Sequence, residues 1–246
     1  MKLVVTGGSR GIGRAVVLAS VQAGHDVVFG YRTDRAAAEQ TMALAAEAAP
    51  ARRCHGVQVD QRDAEACEAF ADAARHHLDG VDAVVANAGI NRDALAFTMD
   101  DDTWKEVIDT NLSGSFYIAR AFLPDLLACG AGRLVFVGSI AAGGLSGQAN
   151  YAASKAGIEG LSRTLAKEYA RKGLTSNVVV PGFFDTDLTR ASMSPQQQSF
   201  WTQFCPAGRM GELEEVAAAV LFLCTRASSF VNGAVLPVTG GLDWSP

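Results

Sequence analysis

The sequence predicts an α/β fold with a doubly wound parallel sheet of about seven strands flanked by helices. The first observation is that short runs of β-branched residues alternate with longer runs rich in alanine and leucine. The second is that the short runs are apolar throughout, which is typical of parallel strands covered by helices on both faces. The third is that no repeat or long linker divides the 246 residues, so a single domain over residues 1–246 is expected.

The predicted elements follow one another along the whole chain. The strands are the apolar, β-branched runs at residues 2–6, 26–30, 55–59, 82–86, 134–138, 176–180 and 234–238. The helices are the longer segments between them, at residues 12–23, 35–48, 64–77, 103–127, 152–171 and 212–224. Residues 183–211 are the least regular, with Ser192, Ser194 and Pro195 before three consecutive glutamines. This composition predicts a mobile loop or lid beside a site.

Composition narrows the class of protein. Hydrophobic residues make up 49% of the chain and charged residues 19%, which suits a water-soluble globular protein with a large core. The net charge of -5 lacks the basic excess of nucleic-acid-binding proteins, so no nucleic-acid partner is expected. No apolar stretch reaches the roughly 18 residues of a membrane span, so no membrane association is expected. No signal peptide is expected before the first strand.

The cysteines indicate a reducing environment. Five occur, at positions 54, 67, 129, 205 and 224, with no CxxC pair. An odd number without metal-ligand spacing predicts reduced thiols in a cytoplasmic protein. The one short Cys/His cluster, Cys54-His55, is too small for a metal site, so no metal is expected.

A glycine-rich turn, Thr6-Gly7-Gly8-Ser9-Arg10-Gly11-Ile12-Gly13, joins the first predicted strand to the first predicted helix. Its glycines permit a tight turn and a close approach of backbone to ligand. The following helix offers free N–H groups and the positive end of its dipole to a pyrophosphate. The spacing is G-x-x-x-G-x-G rather than G-x-G-x-x-G, and the alternative is an ordinary strand-to-helix turn. The residues expected to bind a dinucleotide here are Gly7, Ser9, Arg10, Gly11, Ile12 and Gly13.

The end of the second predicted strand indicates which dinucleotide binds. NAD-binding sites usually place an acidic residue there to hold the ribose hydroxyls. This chain has Phe29-Gly30-Tyr31-Arg32 instead. Arg32 and Arg10 are expected to face a 2′-phosphate, because a guanidinium matches phosphate geometry. Asp34 lies at a predicted helix start, where capping explains it. The sequence therefore predicts NADPH, and the alternative for each arginine is a solvated surface charge.

Tyr151 and Lys155 stand four residues apart in a predicted helix and so share one face. A neighbouring ammonium favours phenolate, so this spacing predicts a tyrosine with a lowered pKa that acts as a proton donor. Tyr-x-x-x-Lys is also common as a plain surface pair. Ser139 ends the fifth predicted strand, at the sheet edge where open α/β sheets bind ligands, and its hydroxyl is expected to orient a carbonyl. The alternative is a serine that merely starts a turn.

Asn111 lies inside a predicted helix among apolar neighbours. Asparagine is a poor helix former. Its presence there predicts a specific hydrogen-bonding role.

Together these motifs resemble those of the short-chain dehydrogenases/reductases. The matching pieces, in order over nearly the whole chain, are the residue 6–13 loop, Asn87-Ala88-Gly89, Asn111, Ser139, Tyr151-x-x-x-Lys155 and Pro181-Gly182. The resemblance implies a Rossmann-type sheet of seven strands and an assembly that is often a homotetramer.

The resemblance also implies a role for each site residue. Tyr151 would protonate the carbonyl oxygen that Ser139 holds, while the nicotinamide delivers hydride to carbon. Lys155 would bind the ribose hydroxyls and lower the pKa of Tyr151, and Asn111 would anchor a water that links Lys155 to solvent. The remaining implied cofactor contacts are Asp60 at the adenine, Asn87 and Gly89 in the cleft, and Pro181, Gly182, Phe184 and Thr186 near the carboxamide.

Within this family the sequence most resembles the 3-oxoacyl-[acyl-carrier-protein] reductases. The local matches are residues 90–95 with Met99 and Trp104, residues 148–151 and residues 206–211. The resemblance implies NADPH-dependent reduction of a 3-oxoacyl thioester in fatty-acid or polyketide-type biosynthesis. It also implies that an acidic acyl carrier protein docks at Arg171 and Lys172. Two alternatives stay open: a reductase or dehydrogenase of a free ketone, alcohol, sugar or steroid, and a nucleotide sensor without catalysis.

The sequence departs from these relatives in places. Ser139 precedes Tyr151 by 12 positions, one fewer than in many relatives, although Ser139 is still expected to reach the site. Arg133 is the one charged residue in the stretch 129–133, where carrier-protein reductases often carry several basic residues. Thr239 stands where relatives often have Asp or Asn.

Five aromatic residues concentrate in the segment 183–211, namely Phe183, Phe184, Phe200, Trp201 and Phe204. The last three would share a helical face. Two interpretations are open: the rings pack the lid against the core, or they form an apolar tunnel for a long or unsaturated acyl chain.

Overall fold

The computed structural model describes residues 1–186, 189 and 194–243. In this part of the chain, seven strands form one sheet in the order β3-β2-β1-β4-β5-β6-β7, and every neighbouring pair is parallel. The strands are β1 (Lys2–Thr6), β2 (Asp26–Tyr31), β3 (Cys54–Gln58), β4 (Ala83–Ala86), β5 (Arg133–Val137), β6 (Thr175–Pro181) and β7 (Val235–Val238). The predicted fold class is confirmed, and each strand begins and ends within one residue of its predicted bounds.

The helices of the described residues lie between the strands. They are α1 (Gly11–Gln22), α2 (Arg35–Ala48), α3 (Ala64–Leu78), α4 (Asp101–Ile108), α5 (Gly114–Ala128), α6 (Ala149–Tyr169), α7 (Pro195–Phe204) and α8 (Leu213–Cys224). A π-helical turn at Asp109–Ser113 joins α4 to α5, and short 3₁₀ helices occur at Ile140–Gly143, Ala170–Lys172 and Arg226–Ser228. Within the described ranges, no helix is both long and apolar enough to cross a bilayer.

Two helix predictions need correction. The single helix predicted over residues 103–127 is wrong, because the π-helical turn interrupts it between α4 and α5. The helix predicted to begin at residue 152 begins at Ala149, so Tyr151 lies inside its first turn. A π-helical turn adds one residue to a helix that otherwise continues in the same direction. The periodic pattern of apolar residues therefore does not reveal it.

Residues 183–211, predicted to be irregular, contain α7. Ser194 and Gln197 form a capping box at its start, and Pro195 occupies its first position. Residues 187, 188 and 190–193, which include Ser192, lie outside the described residues.

Both faces of the sheet are covered, as the continuous apolar strands predict. On one face α3, α5 and α6 pack on the strands, with Phe70 of α3 and Phe122 of α5 in edge-to-face contact at 5.7 Å between ring centroids. On the other face α1, α2 and α8 cover the sheet, and Val17 and Val220 are fully buried there.

The strand order places a crevice at one edge of the sheet. The chain runs from β1 outward to β3, then returns to β4 on the other side of β1. The connections that follow β1 and β4 therefore diverge, and a crevice opens between them at the carboxyl edge. The glycine-rich turn follows β1, Asn87 follows β4, and Ser139 and Gly182 follow β5 and β6 at the same edge.

Candidate active site

Glycine is required at several positions of the loop between β1 and α1. Gly7 and Gly11 have φ values of 67° and 54°, in the left-handed region. A Cβ on Gly13 would lie 2.1 Å from the carbonyl oxygen of Gly7, which no side chain tolerates. Arg10, the residue before α1, makes no side-chain cap, so the first N–H groups of the helix stay available to an anion.

Arg14 braces this loop, although the sequence analysis did not single it out. Its Nε and Nη2 donate to the carbonyl of Ser9 at 2.9 and 2.6 Å, and Nε also donates to the Thr41 hydroxyl at 2.9 Å. The Thr41 hydroxyl donates to the same Ser9 carbonyl at 3.1 Å. The loop is thereby fixed between α1 and α2. The sequence feature that could have indicated this role is an arginine in the first turns of a helix that otherwise packs on the core.

Charged residues surround the end of the cleft next to β2 and β3. Arg10 and Arg32 line the cleft and are exposed, and Arg10 forms a long, solvated ion pair of 3.8 Å with Asp34. Asp34 caps α2 by accepting the Ala37 N–H, as the sequence predicts. Both arginines are thus placed to meet an anionic group at this end.

Asp60 also lines this end of the cleft. Its carboxylate forms a salt bridge of 2.5 Å with Arg62, a residue that the sequence analysis missed. Hydrogen bonds from the Arg62 guanidinium hold the pKa of Asp60 below its ordinary value. Asp60 therefore stays ionised and oriented by its neighbour.

Ser139 and Tyr151 come together at the other end of the cleft. Ser139 directly follows β5, and its Oγ accepts the N–H of Ala141 at 3.1 Å. Both side chains line the cleft, and hydrogen bonding from Ser139 favours the ionised form of the Tyr151 phenol. Although only 12 positions separate Ser139 from Tyr151, Ser139 still reaches the cleft that Tyr151 lines from the first turn of α6.

The pKa of Tyr151 differs from the prediction. The sequence predicts a lowered pKa, whereas loss of solvent around the phenol raises it above its ordinary value, and the hydrogen bond with Ser139 offsets only part of this. The Lys155 amine does not reverse the shift, since it lies 5.6 Å from the centroid of the tyrosine ring and donates to the Val137 carbonyl at 2.8 Å. Tyr151 is accordingly a neutral phenol at neutral pH, which is the form that donates a proton.

Lys155 is 4% exposed, and its Nζ hydrogen bonds to the end of β5. Burial lowers its pKa to about 8. The amine and the Tyr151 ring lie on one face of α6, as their spacing predicts.

Asn111 lies in the π-helical turn and is fully buried. Its Oδ1 accepts the Ile90 N–H at 2.9 Å, while Nδ2 donates to the Ile90 carbonyl at 2.9 Å and to Ser154 Oγ at 3.1 Å. The predicted hydrogen-bonding role of this residue is therefore structural in part: it ties the loop after β4 to α6. The water that Asn111 is expected to anchor stays a prediction.

Two further polar residues of α6 support the site and were missed. Ser154 accepts from Asn111 and donates to the Tyr151 carbonyl at 2.7 Å. Asn150, fully buried, accepts the Tyr151 N–H at 2.7 Å and donates to the Arg92 carbonyl at 3.1 Å. These bonds fix the first turn of α6, where the sequence shows only small polar residues next to a tyrosine.

The loop after β4 forms the floor of the cleft. Asn87 Nδ2 donates to the Thr6 carbonyl at 2.9 Å, which joins β4 to the glycine-rich turn. A Cβ on Gly89 would lie 3.2 Å from Asn111 Oδ1 and 3.5 Å from Lys155 Nζ. Glycine here keeps the backbone close to the Lys155 amine.

The segment after β6 forms the opposite wall, and Pro181, Gly182, Phe184 and Thr186 all line the cleft. Gly182 passes close to the C-terminal strand, because a Cβ on it would lie 2.9 Å from Thr239 Cα. Thr186 lies over the glycine-rich turn, 3.7 Å from a Cβ built on Gly11, and its hydroxyl bonds that of Thr189 at 2.9 Å. Phe184 is 4% exposed and packs against Gly211.

The lid aromatics form a continuous series of ring contacts. Phe183, which lines the cleft, stacks on Trp201 at 4.4 Å. Trp201 meets the edge of Phe200 at 5.7 Å, and Phe200 contacts Phe204 at 4.4 Å. Trp201 is 9% exposed, whereas Phe200 and Phe204 are 43% and 44% exposed. The series therefore runs from the cleft wall to the surface.

These residues enclose one cleft of about 570 Å³ that extends from Arg32 to Tyr151. Its size falls in the range of small-molecule sites. The left-handed glycines, the open N terminus of α1 and the two exposed arginines fit a phosphorylated dinucleotide with an additional phosphate. The residues that sequence analysis assigned to the cofactor and to catalysis all line this cleft except Asn111, which supports it from behind.

A parallel sheet with a dinucleotide cradle and a Ser-Tyr-Lys constellation at its carboxyl edge defines a class of oxidoreductase. A family model described as enoyl-(acyl carrier protein) reductase matches residues 7–243. The chain belongs to this family, within the short-chain dehydrogenases/reductases.

The relatives include several reductases of one kind. The chain is 39% identical over 240 residues to the 3-oxoacyl-[acyl-carrier-protein] reductase FabG of Salmonella typhimurium, covering 97% of this chain and 96% of that protein. It is 40% identical over 245 residues to the FabG reductase of Pseudomonas aeruginosa, covering 98% and 97%. Among solved structures, levodione reductase superposes with a TM-score of 0.94 at 29% identity, covering 97% of this chain and 96% of that one.

Proposed function

We propose that the protein reduces a 3-oxoacyl thioester on an acyl carrier protein to the 3-hydroxyacyl form, with NADPH as hydride donor. The observation that carries the proposal is that Ser139, Tyr151 and the buried amine of Lys155 line one end of the cleft that begins at the glycine-rich turn. The similarity to 3-oxoacyl-[acyl-carrier-protein] reductases extends over nearly the full length.

When bound, NADPH supplies the hydride that adds to the carbonyl carbon. The Ser139 hydroxyl orients the carbonyl oxygen, and Tyr151 transfers its phenolic proton to that oxygen as negative charge develops there. The Lys155 ammonium stabilises the resulting phenolate until solvent returns the proton. One hydride and one proton thus convert the C=O bond into C–H and O–H bonds.

Arg10 and Arg32 would bind the 2′-phosphate that distinguishes NADPH from NADH. Neither is locked into a short ion pair with a carboxylate among the described residues, so their guanidinium groups are available to phosphate. Asp60, oriented by Arg62, would face the adenine.

The aromatic series from Phe183 to Phe204 would contact the acyl chain. Stacking of Phe183 on Trp201 supports the interpretation as lid packing, while the exposed rings of Phe200 and Phe204 support an apolar path for the chain. Both roles are compatible, because a packed inner pair can form the base of an open outer surface.

Carrier docking and assembly belong to the same proposal. Arg171 and Lys172 are exposed at the far end of α6, about 30 Å along the helix from Tyr151 at 1.5 Å per residue. A carrier docked there would reach a catalytic tyrosine more directly in a second copy whose α6 runs antiparallel. We propose a homotetramer, the assembly that the family resemblance implies, and we propose that it works in the cytoplasm. The exposed rings of Trp104 on α4 and Phe116 on α5 support an assembly of several copies. The five free thiols support a cytoplasmic location.

The test follows NADPH absorbance with the purified protein and a 3-oxoacyl thioester, first on a small thiol and then on an acyl carrier protein, with NADH in parallel. Tyr151→Phe keeps the ring but removes the transferable proton, so it should lose at least about 100-fold in kcat while still binding NADPH. Tyr169→Phe, at the other end of α6, is the matched control and should behave as wild type.

Assays with other substrates distinguish the alternative functions. Turnover of a free ketone but of neither thioester would favour the alternative suggested by the likeness to levodione reductase. Turnover of an enoyl thioester instead would favour the reaction in the name of the family model. NADPH binding without turnover of any of them would leave a nucleotide sensor.

A further inference from the structure

Gln61 is a buried amide that has no place in the reaction described above. It follows Asp60 at the cleft and is 6% exposed. Its Nε2 donates to two backbone carbonyls, those of Ala88 at 3.1 Å and Thr110 at 2.6 Å. The NH₂ group has two hydrogens, and Gln61 donates both of them, one to each of two separate segments.

The π-helical turn explains why the Thr110 carbonyl needs this partner. In an α-helix the N–H of Gly114 would bond to Thr110, four residues back, but here it bonds to Asp109, five residues back. Gln61 donates to the Thr110 carbonyl, which the Gly114 N–H does not bond. Gly114 permits the close approach of Gln61 to the turn, because a Cβ on Gly114 would lie 2.8 Å from Gln61 Cγ and 2.9 Å from the backbone carbonyl oxygen of Gln61.

The two segments that Gln61 connects are those that place Asn111. Thr110 precedes Asn111 in the π-helical turn, and Ala88 lies two residues before Ile90, whose backbone the Asn111 amide binds on both sides. Between them, Gly89 passes close to both Asn111 and the Lys155 amine. A shift of the turn relative to the loop would therefore move Asn111 and the backbone beside Lys155.

We propose that Gln61 is a positioning residue that locks the π-helical turn to the loop after β4 and thereby fixes Asn111 beside the catalytic amine. The expected effect on kcat rests on the proposed carbonyl reduction. The expected protection of the Ile90 N–H from hydrogen exchange, which depends on its bond to Asn111, does not rest on that reaction.

Gln61→Leu tests this, since leucine is apolar and of similar bulk but leaves both carbonyls without their donor. We expect kcat to fall at least about tenfold through misplacement of the site, with the Kd for NADPH unchanged within about threefold. Hydrogen exchange at the Ile90 amide should accelerate. Because Gly114→Ala displaces the same side chain, it should have the same effects, and the double variant should lose no more than the worse single one.

Gly160→Ala on α6 is the control, since a Cβ there meets nothing within 4 Å. It should leave kcat and Ile90 exchange at wild-type values. Folded Gln61→Leu protein with wild-type kcat and Ile90 exchange would overturn the proposal, as would additive losses in the double variant. If the wild-type protein reduced no carbonyl, the proposed function would fail, and Ile90 exchange would still decide the role of Gln61.

Discussion

Lys155 connects the burial of a single side chain to the pH range of the reaction. Burial lowers the pKa of its amine to about 8. A lysine is charged below its pKa, so the ammonium beside Tyr151 is present at neutral pH and is lost as pH rises through about 8. We expect kcat/KM for NADPH, which reports ionisations of the free enzyme, to fall over that interval.

The control for this pH profile is Lys167→Met, because Lys167 is exposed on the same helix. It should keep the wild-type profile, whereas Lys155→Met should lose the reaction at every pH. A wild-type profile that stays level from about pH 7 to pH 10 would contradict the assignment of Lys155 as the titrating group.

Arg10 and Arg32, at the other end of the cleft, lead to a second prediction for single residues, which concerns the choice between NADPH and NADH. Arg32→Ala and Arg10→Ala should each weaken NADPH binding by about tenfold with little change for NADH, because a charge-assisted bond to the 2′-phosphate is lost. Binding titrations with both cofactors measure this. Arg35→Ala, exposed and paired with Glu39 on α2, is the matched control. An equal loss for NADH and NADPH would mean that the arginines do not recognise the 2′-phosphate.

At the scale of elements, α7 carries the aromatic rings that follow Phe183. Trp201→Ala removes the centre of this series, so long 3-oxoacyl substrates should lose kcat/KM by about tenfold more than short ones. Steady-state assays with a series of chain lengths measure the difference. Phe222→Ala, exposed on α8 outside the cleft lining, should affect neither. Equal losses for short and long substrates would leave only the packing role for these rings.

The elements also show where sequence patterns stop being informative. Asp34 caps its helix as the sequence predicts, and Asp63 and Asp100 cap theirs in the same local way. The break between α4 and α5 is different, because Asn111 and Gln61 stabilise it through residues distant in sequence. Tertiary hydrogen bonds, which no local pattern contains, decide the register of that helix.

At the scale of the whole molecule, the proposed docking of a carrier protein at Arg171 and Lys172 can be tested together with the proposed assembly. Charge reversal of both residues should raise KM for a carrier-linked substrate by about tenfold and leave the small-thiol substrate unchanged. The same variant should keep the assembly state, which sedimentation measures. Arg163→Glu, which reverses one exposed charge earlier on α6, is the control. Equal KM changes for both substrates would exclude carrier docking at this patch.

The sequence by itself determined the parallel sheet and the glycine-rich turn, and it predicted Ser139, Tyr151 and Lys155 as residues of one site. These follow from local pattern and spacing: apolar runs mark strands covered on both faces, and glycine is needed where φ is positive. Only the tertiary structure decided the pKa shifts of Tyr151 and Lys155, because they depend on how fully solvent is excluded. It alone showed the supports of the site at Arg14, Gln61, Asn150 and Ser154. Each of these four residues makes at least one bond to a residue that is distant in sequence, namely Thr41, Ala88, Arg92 and Asn111 in that order. Such a partner cannot be read from neighbours in the sequence.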